Sequence, residues 1–326
     1  MQETTAKKCI KIEKCTLLSL YLLLFSAIIR RFWEGNDMKA FFKMIRPHQY
    51  IKNLLVFFPL FFAKRITDIT LLQSAAMAFV SFCFAASTIY IFNDIRDIEK
   101  DKVHPKKKLR PIASGAVSIK TAIVTDVIFL VLALAVSFFT SIRMGIIILI
   151  YLVINLFYSM GMKNVAILDI FAVSTGFLLR LLSGTEYGAV AGILPSHWII
   201  IMTFLLSLFL AVAKRRDDLV LAESGLDVRK SISGYSLEFI NGVMSIMSAV
   251  IIVSYLLYTL DPAVQAHYGS KNVYATTFFV LLGLFRYMQI TFVEKKSGSP
   301  TDIVYKDRFL QITLVAWILS FLFFVY

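Results

Sequence analysis

The stretch YIFNDIRDIEKD, residues 90–101, places four carboxylates directly after the end of a long apolar run. If the helix of that run continues past Phe92, a step of about 100° per residue puts Asp97 and Asp101 within about 60° of Asp94. Three carboxylates on one face repel one another unless cations lie among them. The stretch therefore predicts a membrane helix that ends in an acidic, cation-binding face.

Divalent cations with oxygen ligands suit this acidic face, and Mg²⁺ is the strongest candidate because it also carries phosphate groups. We predict Asp94, Asp97 and Asp101 as metal ligands and catalytic residues. The next segment supplies groups for the outer oxygens of a bound phosphate: His104, Lys107 and Arg110. A solvated loop held inside by its lysines is the alternative, but it does not explain three aspartates on one helical face.

The rest of the chain is strongly apolar, with 58% hydrophobic residues and a mean hydropathy of +0.75. Soluble domains contain roughly 45–50% apolar residues. Segments long enough to cross a membrane core of ~30 Å recur from residue 50 onward. We predict an all-α, multi-pass membrane protein with about nine helices around a cavity open to the cytoplasmic face. The predicted spans are 50–64, 70–92, 120–140, 144–158, 166–183, 196–213, 238–260, 273–292 and 309–326.

Most of the 34 lysines and arginines lie on one side of these spans, together with the acidic face. Because positively charged connections stay in the cytoplasm, we predict an inner (cytoplasmic) membrane protein whose active site faces the cytoplasm. The net charge of +13 comes largely from this asymmetry and from the N-terminal tail, and it favours anionic lipid headgroups over nucleic acid as a partner. The sequence leaves the formation of a homo-oligomer open.

Residues 1–37 differ in character from the rest. Their apolar run, 15–29, is about 15 residues long, which is short for a span, and crossing would leave four lysines outside. We predict that 1–37 is an interfacial or disordered N-terminal extension and that 38–326 is a single transmembrane catalytic domain. The three cysteines, Cys9, Cys15 and Cys83, show no metal-ligand spacing.

Other predicted cytoplasmic helix ends also carry polar groups. The entry to the first span contains Arg46, Lys52 and Asn53, which suit an anionic headgroup, although interfacial anchoring explains Arg46 and Lys52 equally well. The remaining substrate-binding or catalytic candidates are Asn93, Tyr158, Lys163, Asp169, Lys214, Arg215 and Glu223. Arg180 lies roughly 16 Å deeper than Asp169 along a helix, and for this buried cation a structural role is favoured.

The pattern Asn93-Asp94-x-x-Asp97-x-x-x-Asp101 resembles the first aspartate-rich motif of the UbiA-type intramembrane prenyltransferases. The segments 46–53 and 104–115, with Tyr158-Ser159 and Lys163, resemble the decaprenyl-phosphate phosphoribosyltransferase branch. The likeness runs from about residue 40 to the C-terminal end.

One departure concerns the second motif. Ordinary members carry Asp-x-x-x-Asp after the sixth helix, whereas here Asp217 and Asp218 are followed four residues later by Leu221 and Ala222. Lys214-Arg215 and Glu223 instead look like the phosphoribosyltransferase version of that motif.

The resemblance implies a pentosyltransferase that moves 5-phosphoribose from phosphoribosyl pyrophosphate to a polyprenyl phosphate and releases pyrophosphate, in cell-envelope precursor synthesis. The aspartates would hold Mg²⁺ on the pyrophosphate. Lys107, Arg110 and Lys163 would bind the remaining phosphate oxygens, and Tyr158 joins the catalytic candidates. The acceptor would be positioned by Arg46, Lys52, Lys214 or Arg215.

Two alternatives use the same features differently. A prenyltransferase that moves a prenyl group from its diphosphate to an aromatic acceptor would need the acidic face, but the altered second motif argues against it. A non-catalytic lipid carrier or transporter would place polar and broken segments near the middle of the membrane in two related halves. Here the polar groups gather at one interface instead.

Overall fold

The computed structural model describes residues 38–105, 107–223, 230–294 and 300–325. The predicted extension, with Cys9 and Cys15, lies outside the described residues. All regular secondary structure in the described ranges is helical, as the sequence predicts. The chain divides into two compact units. Of the described residues, the acidic unit comprises those up to Pro47 and those from Tyr90 to Phe129, and the core unit comprises those from His48 to Ile89 and from Leu130 onward.

The α-helices are, in chain order, α1 (Met38–Ile45), α2 (Phe58–Phe62), α3 (Ile69–Arg96), α4 (Ile98–Val103), α5 (Ile119–Thr140), α6 (Ile142–Met160), α7 (Leu168–Ser183), α8 (His197–Glu223), α9 (Leu237–Leu260), α10 (Pro262–Tyr268), α11 (Thr277–Phe292), α12 (Pro300–Lys306) and α13 (Arg308–Val325). Connecting 3-10 helices lie at Pro47–Phe57, Lys107–Leu109, Met162–Asn164, Lys230–Gly234 and Asn272–Thr276.

Seven helices of the described chain are long and apolar enough to cross a membrane. They correspond to seven of the nine predicted spans: α3, α5, α6, α8, α9, Asn272–Phe292 and α13. Helices α3 and α8 continue beyond their apolar segments to Arg96 and Glu223. Asp94 and the charged residues 214–223 therefore lie on the same helices as the apolar segments before them, whereas Asp97 and Asp101 come after the end of α3.

The other two predicted spans, 50–64 and 166–183, are helical but shorter. The first is built from the 11-residue 3-10 helix Pro47–Phe57 and the five-residue α2, whose Pro59 lies in the first turn, where a missing N–H costs little. Because a 3-10 helix rises about 2.0 Å per residue, the two pieces together cover about 30 Å. Helix α7 has 16 residues and covers about 24 Å.

In the core unit, α7 packs along α8, α8 packs along α9, and α11 packs against α13. One apolar cluster gathers Phe82, Ile148 and Tyr151 from α3 and α6. Another gathers Phe209 and Met244 from α8 and α9. These two clusters fix the helices whose charged ends carry the candidate site residues of this unit.

A close backbone approach ties the 3-10 segment to the end of α7. A Cβ atom on Gly184 would lie 1.9 Å from the carbonyl oxygen of Val56, so a side chain at this position would clash with backbone. Only glycine allows this contact without a shift. The contact holds Pro47–Phe57 against α7, within reach of Arg180.

Candidate active site

Asp94 lies in the last turn of α3 and is buried, with 2% of its surface exposed. Nη2 of Arg46 donates to both carboxylate oxygens of Asp94, at 2.7 and 2.8 Å. The Arg46 guanidinium also lies 4.9 Å from the centre of the Tyr90 ring. The first predicted metal ligand therefore accepts charge-assisted hydrogen bonds from a cation in the acidic unit.

Arg46 reaches Asp94 from a strained backbone position. It ends α1 with φ of 56°, and its N–H donates to the carbonyl of Phe42 at 3.1 Å. This left-handed cap usually needs glycine, and the following Pro47 prevents the helix from continuing. Backbone strain of this kind persists where surrounding contacts over-determine it, and it is frequent at functional sites.

Arg110 joins two of the predicted metal ligands. Its Nη1 donates to Oδ1 of Asp94 at 3.0 Å and to Oδ2 of Asp101 at 2.6 Å. Asp101 is as buried as Asp94. The carbonyl of Leu109 accepts a hydrogen bond from Nζ of Lys43 at 3.0 Å, which fixes the turn that carries Arg110. Lys43 was not predicted, because a single lysine on a short helix gives no functional signal.

The chain between α3 and α4 is interrupted at Asp97, but the helical hydrogen-bond pattern continues across the break. The Asp97 N–H donates to the carbonyl of Asn93 at 3.0 Å, and the Asp101 N–H donates to the carbonyl of Asp97 at 2.8 Å. Asp94 and Asp101 therefore stay on one side of the chain despite the break. Asp97 and Asn93 are partly exposed. No group of three or more His, Cys, Asp or Glu residues in the described ranges is arranged to hold a metal ion.

The other predicted residues of this segment lie toward solvent. Lys107 is exposed, and its backbone N–H donates to Nδ1 of His104 at 3.2 Å. His104 thus supports the loop between α4 and Lys107–Leu109. The structure does not bring the Lys107 side chain into an ion pair with any described residue.

A second polar cluster, the Asp169 cluster, lies in the core unit and consists of Asp169, Arg215, Asp218, Tyr158, Ser231 and Tyr235. Asp169 is fully buried in the first turn of α7. It accepts hydrogen bonds from Nε of Arg215, from the Tyr235 hydroxyl at 2.7 Å and from the Ser231 hydroxyl at 3.3 Å. Three donors compensate the buried carboxylate.

Arg215 is itself buried and divides its donors among several partners. Its Nη1 donates to Asp218 at 2.8 Å, and its Nη2 lies 3.5 Å from the Tyr158 hydroxyl. The structure thus brings three predicted residues together, Tyr158, Asp169 and Arg215. Lys163 lies in the neighbouring 3-10 helix and is partly exposed, whereas Lys214 is exposed on α8. The side chain of Glu223 lies outside the described part of the chain.

Tyr235 and Ser231 were missed by sequence reasoning. They follow the charged end of α8 in a short polar stretch that has the composition of a linker. Burial, followed by the hydrogen bond to Asp169, raises the pKa of Tyr235 to about 12. The phenol therefore stays protonated and remains a donor at any physiological pH.

Asn53 and Arg180 form a separate buried pair. Nε of Arg180 donates to Oδ1 of Asn53 at 2.7 Å, and the Asn53 amide lies 3.3 Å from Sγ of Cys83. Arg180 also donates to the Gly176 carbonyl at 2.7 Å and to the Tyr151 hydroxyl at 3.0 Å. The side chain of Asn53 is thus engaged inside the core unit. Lys52, the residue before Asn53, is partly exposed.

Residues 54–315 match the model of the UbiA prenyltransferase family. The chain belongs to this family and is a transferase, as its acidic motif predicts. It is 35% identical over 299 residues to the decaprenyl-phosphate phosphoribosyltransferase of Mycolicibacterium smegmatis, covering 87% of this chain and 91% of the relative. The enzyme of the same name in Corynebacterium glutamicum is 32% identical over 296 residues, covering 89% and 88%. These relatives confirm the predicted branch.

The fold is shared with a solved structure of a UbiA homolog from Archaeoglobus fulgidus bound to GPP and Mg²⁺. The TM-score is 0.66 at 18% sequence identity, with 88% of this chain and 99% of that chain covered. At this identity the likeness establishes the all-helical fold of the chain.

Proposed function

We propose that this protein transfers 5-phosphoribose from phosphoribosyl pyrophosphate to the phosphate of a polyprenyl phosphate and releases pyrophosphate. The observation that carries the proposal is the pairing of Asp94 and Asp101 through Arg110 at the end of an apolar helix. A soluble polyanion and a lipid headgroup meet at such a boundary. The names of the two full-length relatives support the same substrates.

Asp94, Asp97 and Asp101 are the residues proposed to hold Mg²⁺. Their carboxylate oxygens are the ligand type that this ion prefers, and Asp94 and Asp101 already bind cationic groups. The Mg²⁺ named with the Archaeoglobus structure supports the choice of metal. The bound ion would neutralise the charge that develops on the leaving pyrophosphate.

Arg46 and Arg110 are proposed to bind the phosphate oxygens of the donor. Their guanidinium groups are only partly exposed, at 21% and 29%, and their planar donors match the geometry of phosphate oxygens. His104, Lys107 and Lys163 extend this set of donors. Asn93, in the last turn of α3, and Asp97, just after it, are both partly exposed and are proposed to face the donor.

The acceptor needs orientation rather than activation. A phosphate monoester is an anion at neutral pH, so its oxygen attacks C1 of the ribose as the bond from C1 to the pyrophosphate oxygen breaks. The chain then needs no strong general base. Tyr158, Arg215 and the exposed Lys214 are proposed to position the acceptor phosphate, with Asp169 and Glu223 in support.

The proposed membrane arrangement has nine crossings and an active site that faces the cytoplasm of the inner membrane. Seven crossings are the long helices, and Pro47–Phe62 and α7 are proposed as the other two, since they cover about 30 and 24 Å. The distribution of lysine and arginine supports the orientation.

The test is pyrophosphate release by purified protein in detergent, with polyprenyl phosphate, phosphoribosyl pyrophosphate and Mg²⁺ each supplied or withheld. We expect release only when all three are present, together with a phosphoribosylated lipid detected by mass spectrometry. Release from a prenyl diphosphate and an aromatic acceptor instead would replace the proposal with prenyl transfer.

A further inference from the structure

The turn that leads into α7 has an unfavourable backbone conformation. Ile167 has φ of 70° and ψ of −52°, and Leu168 N–H donates to the carbonyl of Ala166 at 2.8 Å. This is the form of γ-turn with positive φ, which is rare and strained, and most of all for a β-branched residue. Such a turn persists only when its surroundings hold it. It lies two residues before Asp169.

One side chain holds both the turn and Asp169. The N–H of Ile167 donates to the Tyr235 hydroxyl at 2.6 Å, and the same hydroxyl donates to Oδ1 of Asp169 at 2.7 Å. A phenol has one O–H to donate and lone pairs to accept, so both capacities are used here. Phenylalanine fills the same space but makes neither bond.

The segment that carries Tyr235 fits tightly against this turn. A Cβ on Gly234 would lie 2.6 Å from the Cβ of Ala166. The close approach also allows the Ser231 hydroxyl to reach Oδ2 of Asp169 at 3.3 Å. Alanine at position 234 would push Lys230–Gly234 away without removing the phenol.

Asp169, held in this way, in turn binds the Arg215 guanidinium. Its Oδ2 accepts from Nε of Arg215, which leaves Nη1 for Asp218 and Nη2 for the Tyr158 hydroxyl. We infer that Tyr235 is a positioning residue, which acts through Asp169 to hold the Arg215 guanidinium against Tyr158. The inference rests on the proposed function in one respect, because it assigns Arg215 and Tyr158 to acceptor positioning.

The decisive variant is Tyr235→Phe. We expect kcat/KM for polyprenyl phosphate to fall about tenfold or more, since hydrogen bonds to a carboxylate are among the stronger ones in proteins. The Mg²⁺ concentration for half-maximal rate stays unchanged, because the metal site uses other residues. In an Arg215→Gln background the same substitution has little further effect, because Tyr235 acts through Arg215.

Gly234→Ala gives an independent perturbation of the same contact. It should reproduce the kinetic change of Tyr235→Phe, whereas Gly242→Ala, where a Cβ has open space, leaves the kinetics unaltered. Tyr255→Phe is the matched loss of a buried hydroxyl, which contacts Thr276 and Trp317 in the core unit. This control lowers the melting temperature without changing kcat/KM for the acceptor.

Hydrogen exchange provides a readout that does not depend on activity. The Ile167 amide loses its acceptor in Tyr235→Phe, so exchange in a peptide covering 165–169 accelerates, and it does not accelerate in Tyr255→Phe. Unchanged exchange, or kinetic losses that add fully to those of Arg215→Gln, overturns the inference. If the wild-type protein shows no phosphoribosyl transfer, the proposed function fails while the exchange result still decides whether Tyr235 holds the turn.

Discussion

Nη1 of Arg110 lies 3.0 Å from a carboxylate oxygen of Asp94 and 2.6 Å from one of Asp101. A single guanidinium nitrogen thus bridges two buried carboxylates that are seven positions apart on the chain, and Arg46 supplies a second cation to Asp94. Two carboxylates this close repel each other, and the two arginines compensate that repulsion. In the proposed site Mg²⁺ would take the place of the guanidinium on this pair, and Arg110 would turn to a phosphate oxygen of the donor.

Asp94→Asn tests the role of the carboxylate charge. Asparagine keeps an oxygen that accepts from Arg46 and Arg110, so we expect a folded protein whose Mg²⁺-dependent turnover falls by about 100-fold or more. Glu99→Gln is the matched control, because Glu99 belongs to the same acidic stretch but its side chain is 83% exposed and, within the described part of the chain, pairs with Lys102. Turnover and Mg²⁺ dependence are measured by pyrophosphate release. Full Mg²⁺-dependent activity in Asp94→Asn would exclude it as a metal ligand.

Arg110→Gln tests the competition between arginine and metal. Removal of the shared cation leaves Arg46 as the cation paired with Asp94 and takes Arg110 away from Asp101, so we expect the free protein to bind Mg²⁺ about tenfold more tightly, which corresponds to about 1.4 kcal/mol. The KM for phosphoribosyl pyrophosphate rises in the same variant, since a phosphate donor is lost. Calorimetric titration of Mg²⁺ without substrate measures the first effect. The exposed Lys102→Gln variant should match wild type, and a weaker Mg²⁺ affinity in Arg110→Gln would contradict the competition.

Features carried by local periodicity could be predicted from the sequence. The apolar runs predicted the membrane helices, and the 3.6-residue period predicted that Asp94, Asp97 and Asp101 share one face. Arg110 bridges Asp94 and Asp101, whereas the helix is interrupted at Asp97. Pairings between distant segments could not be predicted, because they depend on how helices pack. Tyr235 and Asp169 are 66 residues apart, and Arg180 and Asn53 are 127 apart. The strained turns at Arg46 and Ile167 also contradict local preference, so no local signal predicts them.

The pair between Arg286 and Asp307 gives a pH dependence of stability. The hydrogen bond from Arg286, at 2.6 Å, holds the pKa of Asp307 below its usual value of 3.8. A lowered folded-state pKa means that the contribution is complete above about pH 4 and is lost as the pH falls through the lowered value. We expect Asp307→Asn to destabilise the protein by about 0.2–1 kcal/mol at pH 6, since the pair is partly exposed.

Thermal unfolding of both proteins from pH 6 to pH 3 measures this effect. The difference between wild type and Asp307→Asn should shrink toward zero at the acidic end. Asparagine still accepts from the Leu310 N–H, which keeps the cap of α13 in the variant. A difference that stays constant over this range would show that the ion pair does not stabilise the folded state.

Among the residues that the structure describes, Arg180 donates hydrogen bonds to neutral groups only: an amide, a carbonyl and a phenol. The rings of Phe82, Tyr151 and Phe177 surround its guanidinium. A buried cation of this kind is stabilised by dipoles and ring faces. We expect Arg180→Gln to lower the free energy of unfolding by about 1–3 kcal/mol, because Asn53 and Tyr151 lose their partner. The proposed substrate and metal contacts do not involve Arg180, so the Mg²⁺ requirement stays the same.

Thermal unfolding in detergent, alongside pyrophosphate release, separates this structural role from a catalytic one. Arg143→Gln is the matched control, because Arg143 is 63% exposed and its removal should change stability by less than about 0.5 kcal/mol. A variant at position 180 that unfolds at the wild-type temperature yet has lost transfer would assign Arg180 to substrate binding. If Arg180→Gln instead loses much stability but keeps its turnover per folded molecule, Arg180 has a structural role: its side chain binds Asn53 of the 3-10 segment to α7.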